Sequence, residues 1–306
     1  MTVELLARPR PPRPPIVTAV QSWIGFRRLA WLEVEGGRIS GVATARSIGR
    51  RDAWEIDMLL GARRAVPEDG AAFGRLLRRV ADAASSERVG HVILRTPAGG
   101  VAVGAALRAG FQHASTERLW TGPGVSARPE PGVAAVVVRE LRAGDDGELF
   151  RLYSAATPVA ARRAFGLTLS EWRALDGSRW TGRRGGRWVA EVGGRSVAAA
   201  RVSTRGALGE LELLVEPPSA EGPTPQAADR GVREGCRTLL QRAAEATARC
   251  ARVVSLVPRS AVVVEELLGA HGLTPGGDVE LLAIRTRQPA VDPARRGAGV
   301  VVASGG

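Results

Sequence analysis

The side chains best able to exchange protons in this chain come as two carboxylate pairs, each spaced two residues apart. Glu210 and Glu212 alternate with Leu211 and Leu213, and Glu55 and Asp57 alternate with Trp54, Ile56 and Met58. Residues two apart in a strand share a face. Each pair therefore sets both carboxylates on one side of a sheet, as acid–base groups or as the solvated side of a half-buried strand. Other reactive side chains are few. All 43 basic residues are arginine, so Schiff-base chemistry on lysine is excluded. Cys236 and Cys250 fall on one predicted helix, roughly 21 Å apart along its axis, and cannot bond to each other. His91, His113 and His271 are scattered, with no Cys or carboxylate partner at ligand spacing, so no metal site is expected. No serine–histidine or cysteine–histidine constellation is visible, and Tyr153 is the single tyrosine.

The elements that carry these carboxylates occur twice. Trp31–Arg38 and Trp188–Arg195 each read as strand, Gly-Gly turn, strand. The acidic strands Trp54–Leu60 and Gly209–Val215 follow, then helices over Phe73–Ala84 and Val232–Ala248. Each copy next runs through a short apolar strand, a proline, a short helix and a Gly-apolar pair: His91–Phe111 in the first, Arg252–Leu273 in the second. The second copy has a longer front, with a strand at Ala135–Leu141 and a helix near Asp145–Ala155. A further helix near Thr168–Leu175 starts on a capping box of Thr168 and Glu171. The order implies two related domains, 16–121 and 134–287, joined by a Gly/Pro linker at 122–133. A Pro/Arg arm at 1–15 and a tail at 288–306 are expected to be disordered.

Composition bounds the function classes. Apolar content of 44% and charged content of 24% are those of an ordinary globular protein. No apolar run is long enough to span a membrane, and the N-terminus lacks a signal-peptide h-region, so a cytoplasmic protein is expected. The net charge of +12 is spread through every segment. No nucleic-acid-binding signature accompanies it, so a specific nucleic-acid role is not expected; GC-rich codon usage is the plainer source of the arginines.

The second copy's order, with the Gly-Leu ending of its last helix, resembles the GNAT N-acetyltransferase superfamily. Val138–Asp146 is similar to that family's opening strand and first helix, and Leu94–Phe111 to its fifth strand, fourth helix and following turn. The likeness covers about 28–121 and 134–287. It implies an α/β (α+β) fold of two GNAT-like acyl-CoA N-acyltransferase domains, each a mixed twisted sheet flanked by helices, with the first truncated.

The resemblance also implies a chemistry: acetyl transfer from acetyl-CoA to a primary amine, small or peptidic, by direct attack. The donor would lie along the acidic strand at Leu214 and Val215. Its pyrophosphate would sit at a helix start, where backbone amides hold anions. The family's loop is matched nearest by Arg230, Gly231, Arg233 and Gly235; in the first copy Asp69 would face the phosphate, so the donor is expected in the second. Glu212 is the leading candidate for the base, with Glu210 behind it. The family's tyrosine acid is replaced by Ala106 and Leu268, and Tyr153 is given a role in binding the acceptor. A catalytically silent tandem module that binds an acyl-CoA or a protein partner is the alternative. Oligomeric state is left open, a homodimer included.

Overall fold

The computed structural model describes residues 28–48, 53–61, 70–126, 136–165, 168–176, 183–217 and 225–286. The expected arm and tail, the segment Ile16–Phe26 and the Asp69 site lie outside them. The first copy comprises β1 (Arg28–Glu35), β2 (Arg38–Ile48), β3 (Ala53–Gly61), α1 (Ala71–Ser86), β4 (His91–Pro97), α2 (Val101–Arg108) and β5 (Gln112–Gly122). The second comprises β6 (Val136–Glu140), α3 (Asp146–Ala156), α4 (Val159–Phe165), α5 (Leu169–Asp176), β7 (Arg183–Val192), β8 (Arg195–Arg205) and β9 (Leu208–Val215), then α6 (Pro225–Thr247), β10 (Arg252–Pro258), α7 (Val262–Ala270) and β11 (Thr274–Arg285).

Local chemistry explains the elements. Gly36 and Gly37 (φ 56° and 75°) and Gly193 and Gly194 (φ 58° and 79°) adopt the left-handed conformation at both central positions of their hairpins. Such two-residue turns match the twist of the strands they join. At the start of α5, the Thr168 hydroxyl accepts the Glu171 amide at 3.2 Å while the Glu171 carboxylate accepts the Thr168 amide at 3.1 Å. Two features differ from expectation. A short helix, α4, stands between the two expected at the front of the second copy, and α6 starts at Pro225 rather than at Val232.

The strands of the described residues belong to one 11-stranded sheet, in the order β1-β2-β3-β4-β11-β5-β10-β9-β8-β7-β6. The copies exchange their last strands. β11 of the second copy is antiparallel to both β4 and β5, and β5 of the first is antiparallel to both β11 and β10. Side chains hold this seam as well: Arg118 pairs with Asp278 at 2.8 Å, and Thr116 donates to Glu280 at 3.0 Å. One side of the sheet is covered by α1 and α2 over the first copy and by α6 and α7 over the second. Among the described residues, the other side carries α3, α4 and α5, whose Leu149, Leu152, Ala161, Ala164 and Trp172 pack on Ile93, Leu281 and Ala199.

The division expected at 122–133 therefore follows the chain but not the space, since each copy's core is completed by a strand of the other. A protease site inserted after Ser126 should give two fragments that co-elute as one native species and separate only in denaturant. Fragments that part without denaturant would contradict the exchanged strands.

Candidate active site

In each copy the acidic strand begins parallel to its neighbour and then leaves it. β9 and β10 are in register only from Leu208–Arg252 to Glu210–Val254, although β9 continues to Val215 and β10 to Pro258. β3 and β4 part in the same way after Ile56–Leu94. Each parting opens a gap in the sheet, and along β9 it leaves the edge of Leu211–Val215 without a ladder to β10. Leu214 and Val215, expected to line the donor, lie on that edge.

The carboxylates stand at the mouth of the gaps. Glu210 is the last β9 residue in register with β10, and Glu55 holds the matching place in β3, opposite Ile93. Both point to the side of the sheet bearing α3–α5, because Leu211 and Leu213 face the α6–α7 core while Leu214 packs with α3 and α5. β3 and β9 are five places apart in strand order. A flat sheet would separate them by about 24 Å, yet Glu55 and Glu210 influence each other's charge. Arg95, which bonds Glu55, is likewise within reach of the Glu210 charge.

The two carboxylates differ in what faces them. Glu55 is paired across β2 with Arg46, whose guanidinium bonds it, and Arg95 Nη1 reaches its other oxygen at 3.2 Å. Arg95 also donates from Nε to Glu117 on the exchanged strand β5 at 2.8 Å. Burial works to raise the Glu55 pKa, but Arg46 and Arg95 outweigh it and hold the group below the ordinary carboxylate range. Burial likewise opposes the Arg95 charge, and Glu117 and Glu55 override it and raise its pKa. Glu55 is thus a member of an ion-pair row that favours its charged form.

Glu210 has no such partners. Across β8 it faces Ser203 where Glu55 faces Arg46, and Leu256 holds the β10 position that Arg95 holds in β4. Burial pushes its pKa up, Glu55 and Glu212 push it further, and Arg95 and Arg46 offset only part, leaving it at about 7. Glu212 has a cation beside it. It lies two residues further along β9 with the Arg201 guanidinium 3.8 Å away. Sequence places Glu212 before Glu210 as the candidate base; of the two, Glu210 is the one that burial and neighbouring carboxylates raise. Asp57, the first-copy counterpart of Glu212, is buried and accepts a hydrogen bond from the Thr44 hydroxyl.

Other expected site residues are placed differently. Arg230, Gly231, Arg233 and Gly235 lie inside α6, more than a turn beyond its start, so they cannot form a phosphate loop at a helix N-terminus. The glycines let α6 approach the sheet: a Cβ on Gly235 would stand 2.8 Å from Ala190 Cβ, and one on Gly231 3.2 Å from Val192. Arg233 pairs with Glu266 of α7 at 3.0 Å. Residues 218–224, which precede α6, lie outside the described residues. Tyr153 is 3% exposed and stacks at about 6 Å on Phe150 and Trp172, so it is part of the core under α3 and α5 rather than an open acceptor wall. Ala106 and Leu268 are fully buried. Cys236 and Cys250 are free, and burial pushes the Cys236 thiol up to about 12, which removes it as a nucleophile.

Arg46, Arg95 and Glu117 are not among the residues that sequence motifs single out. Their signal was charge at strand positions that should be buried: Arg95 interrupts an apolar run, HVILRTP, where the second copy has Leu256. Their partnership could not be read, because it depends on the strand exchange.

No family model matches the sequence, and no curated protein matches it. Among solved structures, the chain is similar to a GCN5-related N-acetyltransferase from Sphaerobacter thermophilus, with 14% identity and TM-score 0.54 over 94% of this chain and 90% of that one. It is also similar to a functionally unknown conserved protein from Staphylococcus epidermidis, with 11% identity and TM-score 0.53 over 84% and 95% of the two chains. A tandem GNAT protein from the clavulanic acid biosynthesis pathway aligns over 93% of each chain with 16% identity and TM-score 0.47.

Proposed function

We propose that this chain, whose fold is that of the GNAT N-acetyltransferases in two copies sharing one sheet, is an N-acyltransferase that moves an acetyl group from acetyl-CoA to a primary amine. The observation that carries the reading is Glu210. It is a carboxylate without an ion-pair partner among the described residues, at the point where β9 and β10 part, raised to about 7, while its counterpart Glu55 is locked by two arginines. A group with that pKa is deprotonated often enough to accept a proton near neutral pH and basic enough to take one from an amine. The second copy is the working one, and the first contributes a wall of the same centre.

The chain's own groups fit a thioester donor. The β10-facing edge of Leu211–Val215 offers backbone amides and carbonyls to an extended chain, as an unpaired strand edge does. When bound there, acetyl-CoA supplies an activated acyl carbon and a good leaving group. Glu210 takes the proton from the acceptor nitrogen as that nitrogen attacks. The ion-pair row of Glu55, Arg95 and Glu117 keeps fixed charge at the far wall, and Glu212 with Arg201 closes the near one. No phenol is within the gap at the Ala106 or Leu268 positions. Holding amine and thioester together must then supply most of the acceleration, and orientation alone can contribute about 7–11 kcal/mol.

Calorimetric titration with acetyl-CoA, followed by thiol release in a panel of small primary amines and peptides, tests the assignment. Binding with turnover on at least one amine is expected. Binding without turnover on any of them would favour the silent acyl-CoA-binding module, and no binding would remove both. Among the described residues, no helix is long and apolar enough to cross a membrane, which suits assay of the free protein; we place it in the cytoplasm.

A further inference from the structure

On the α6–α7 face of the sheet, where β10 runs beyond its pairing with β9, stand two polar groups that neither the carboxylates nor the donor edge uses. Ser255 is the first β10 residue beyond the last pairing with β9, and Trp120 of the exchanged strand β5 lies directly opposite it. Their neighbours in the strand alternation, Val253 and Val257, face the α6–α7 core, and Trp120 packs in that core with Leu268. Ser255 is 1% exposed and Trp120 6% exposed. Even so, Ser255 Oγ and Trp120 Nε1 are both buried without a hydrogen-bond partner among the described residues. An unpaired buried donor is costly, so native structures rarely keep one without a use.

The sheet does not need polarity at this place. In the first copy the matching cross-strand pair, also made by an exchanged strand, is Leu94 of β4 with Leu282 of β11, both fully buried. The same position is thus apolar in the copy whose carboxylate is locked. It is a pair of donors in the copy that carries Glu210. Two donors in one dry place ask for a shared acceptor, and an indole N–H can only donate.

We propose that Ser255 O–H and Trp120 Nε1–H form a two-donor subsite for the sulfur of the acyl donor. The inference rests on the acyl-transfer reading above. As the amine attacks, the carbon–nitrogen bond forms, the carbon–sulfur bond breaks and its electron pair moves to sulfur. The amine's proton goes to Glu210. The thiolate accepts hydrogen bonds from Ser255 and Trp120, neither of which gives up its proton, and solvent protonates it on release. Donor bonds to an ionised acceptor are about twice as strong as neutral ones, so the pair acts most on the charge that develops in the transition state. It stabilises the leaving group in a copy where Leu268 offers no polar atom.

Binding tests this without an acceptor. Coenzyme A and its desulfo analogue, which lacks the sulfur, are titrated into the full chain from pH 7 to pH 9.5, over which the thiol of coenzyme A increasingly ionises. For the wild type, affinity for coenzyme A should rise relative to the desulfo analogue as the thiol ionises. Ser255→Ala should lower coenzyme A affinity about tenfold at pH 9.5 and leave the desulfo analogue unchanged. Trp120→Phe should do the same in part, and Ser255→Thr, which keeps the hydroxyl, should restore the preference. Equal losses for both ligands would mean that the pair only holds the fold or a bridging water, and would overturn the proposal. So would a wild type that binds both ligands alike at every pH. Failure of the wild type to bind either ligand would instead strike the acyl-transfer reading itself.

Discussion

Glu210→Gln should lower turnover by about 10²–10³-fold, the range lost with a general base, while acetyl-CoA affinity stays within about twofold. Glutamine keeps the size of the side chain and removes only its ability to take a proton. In the wild type, kcat/KM should rise with pH through about 7, because the base works only when deprotonated; the variant should lose that limb. Stability should move the other way. The folded pKa lies above the ordinary value of 4.5, so the folded state holds this proton more tightly than the unfolded chain. That contribution is complete below about pH 4.5 and is lost as pH rises through about 7, by at most about 3 kcal/mol. Thermal melts of the variant should therefore match the wild type at pH 4 and exceed it at pH 8. A flat comparison at both pH values, with turnover intact, would return Glu210 to an ordinary strand carboxylate.

Arg95→Leu should destabilise the protein by about 3–5 kcal/mol, the usual cost of removing one member of a buried ion pair. It strands Glu117 without its bidentate partner and leaves Glu55 with Arg46 alone. The second copy shows how the same positions are filled without charge. Leu256 holds the place of Arg95, and Val279 stands beside Pro97 of β4 where Glu117 stands beside Pro258 of β10. The double variant Arg95→Leu, Glu117→Val should accordingly recover most of the loss, and urea unfolding of the two singles and the double measures the coupling. Losses that simply add would show that the pair is not shared across the exchanged strand. Because Arg95 lowers the Glu210 pKa, the single variant should also shift the ascending limb of the pH profile upward.

Much of this protein is settled by local sequence. The Gly-Gly dipeptides set the two hairpins, since both central residues need positive φ. Thr168 and Glu171 set the start of α5, and period-two alternation sets Glu210 and Glu212 on one face. These depend on residues a few positions apart, so a reading of the chain reaches them, and with them the doubled architecture. What the chain could not state is which strand neighbours which. Exchange of β5 and β11 joins residues as far apart as Thr116 and Glu280, and no periodicity encodes that distance. The helix boundary at Pro225 was hidden for a related reason: Gly231 and Gly235 resemble loop glycines in sequence, while their use is close approach to Val192 and Ala190. The ranking of the carboxylates was decided last and only in three dimensions. Glu55 and Glu210 occupy equivalent strand positions, and what separates them is the company each keeps: Arg46 and Arg95 for one, Ser203 and Leu256 for the other. Charge reads its neighbours through space, so the protonation of a buried carboxylate belongs to the fold rather than to the strand that carries it.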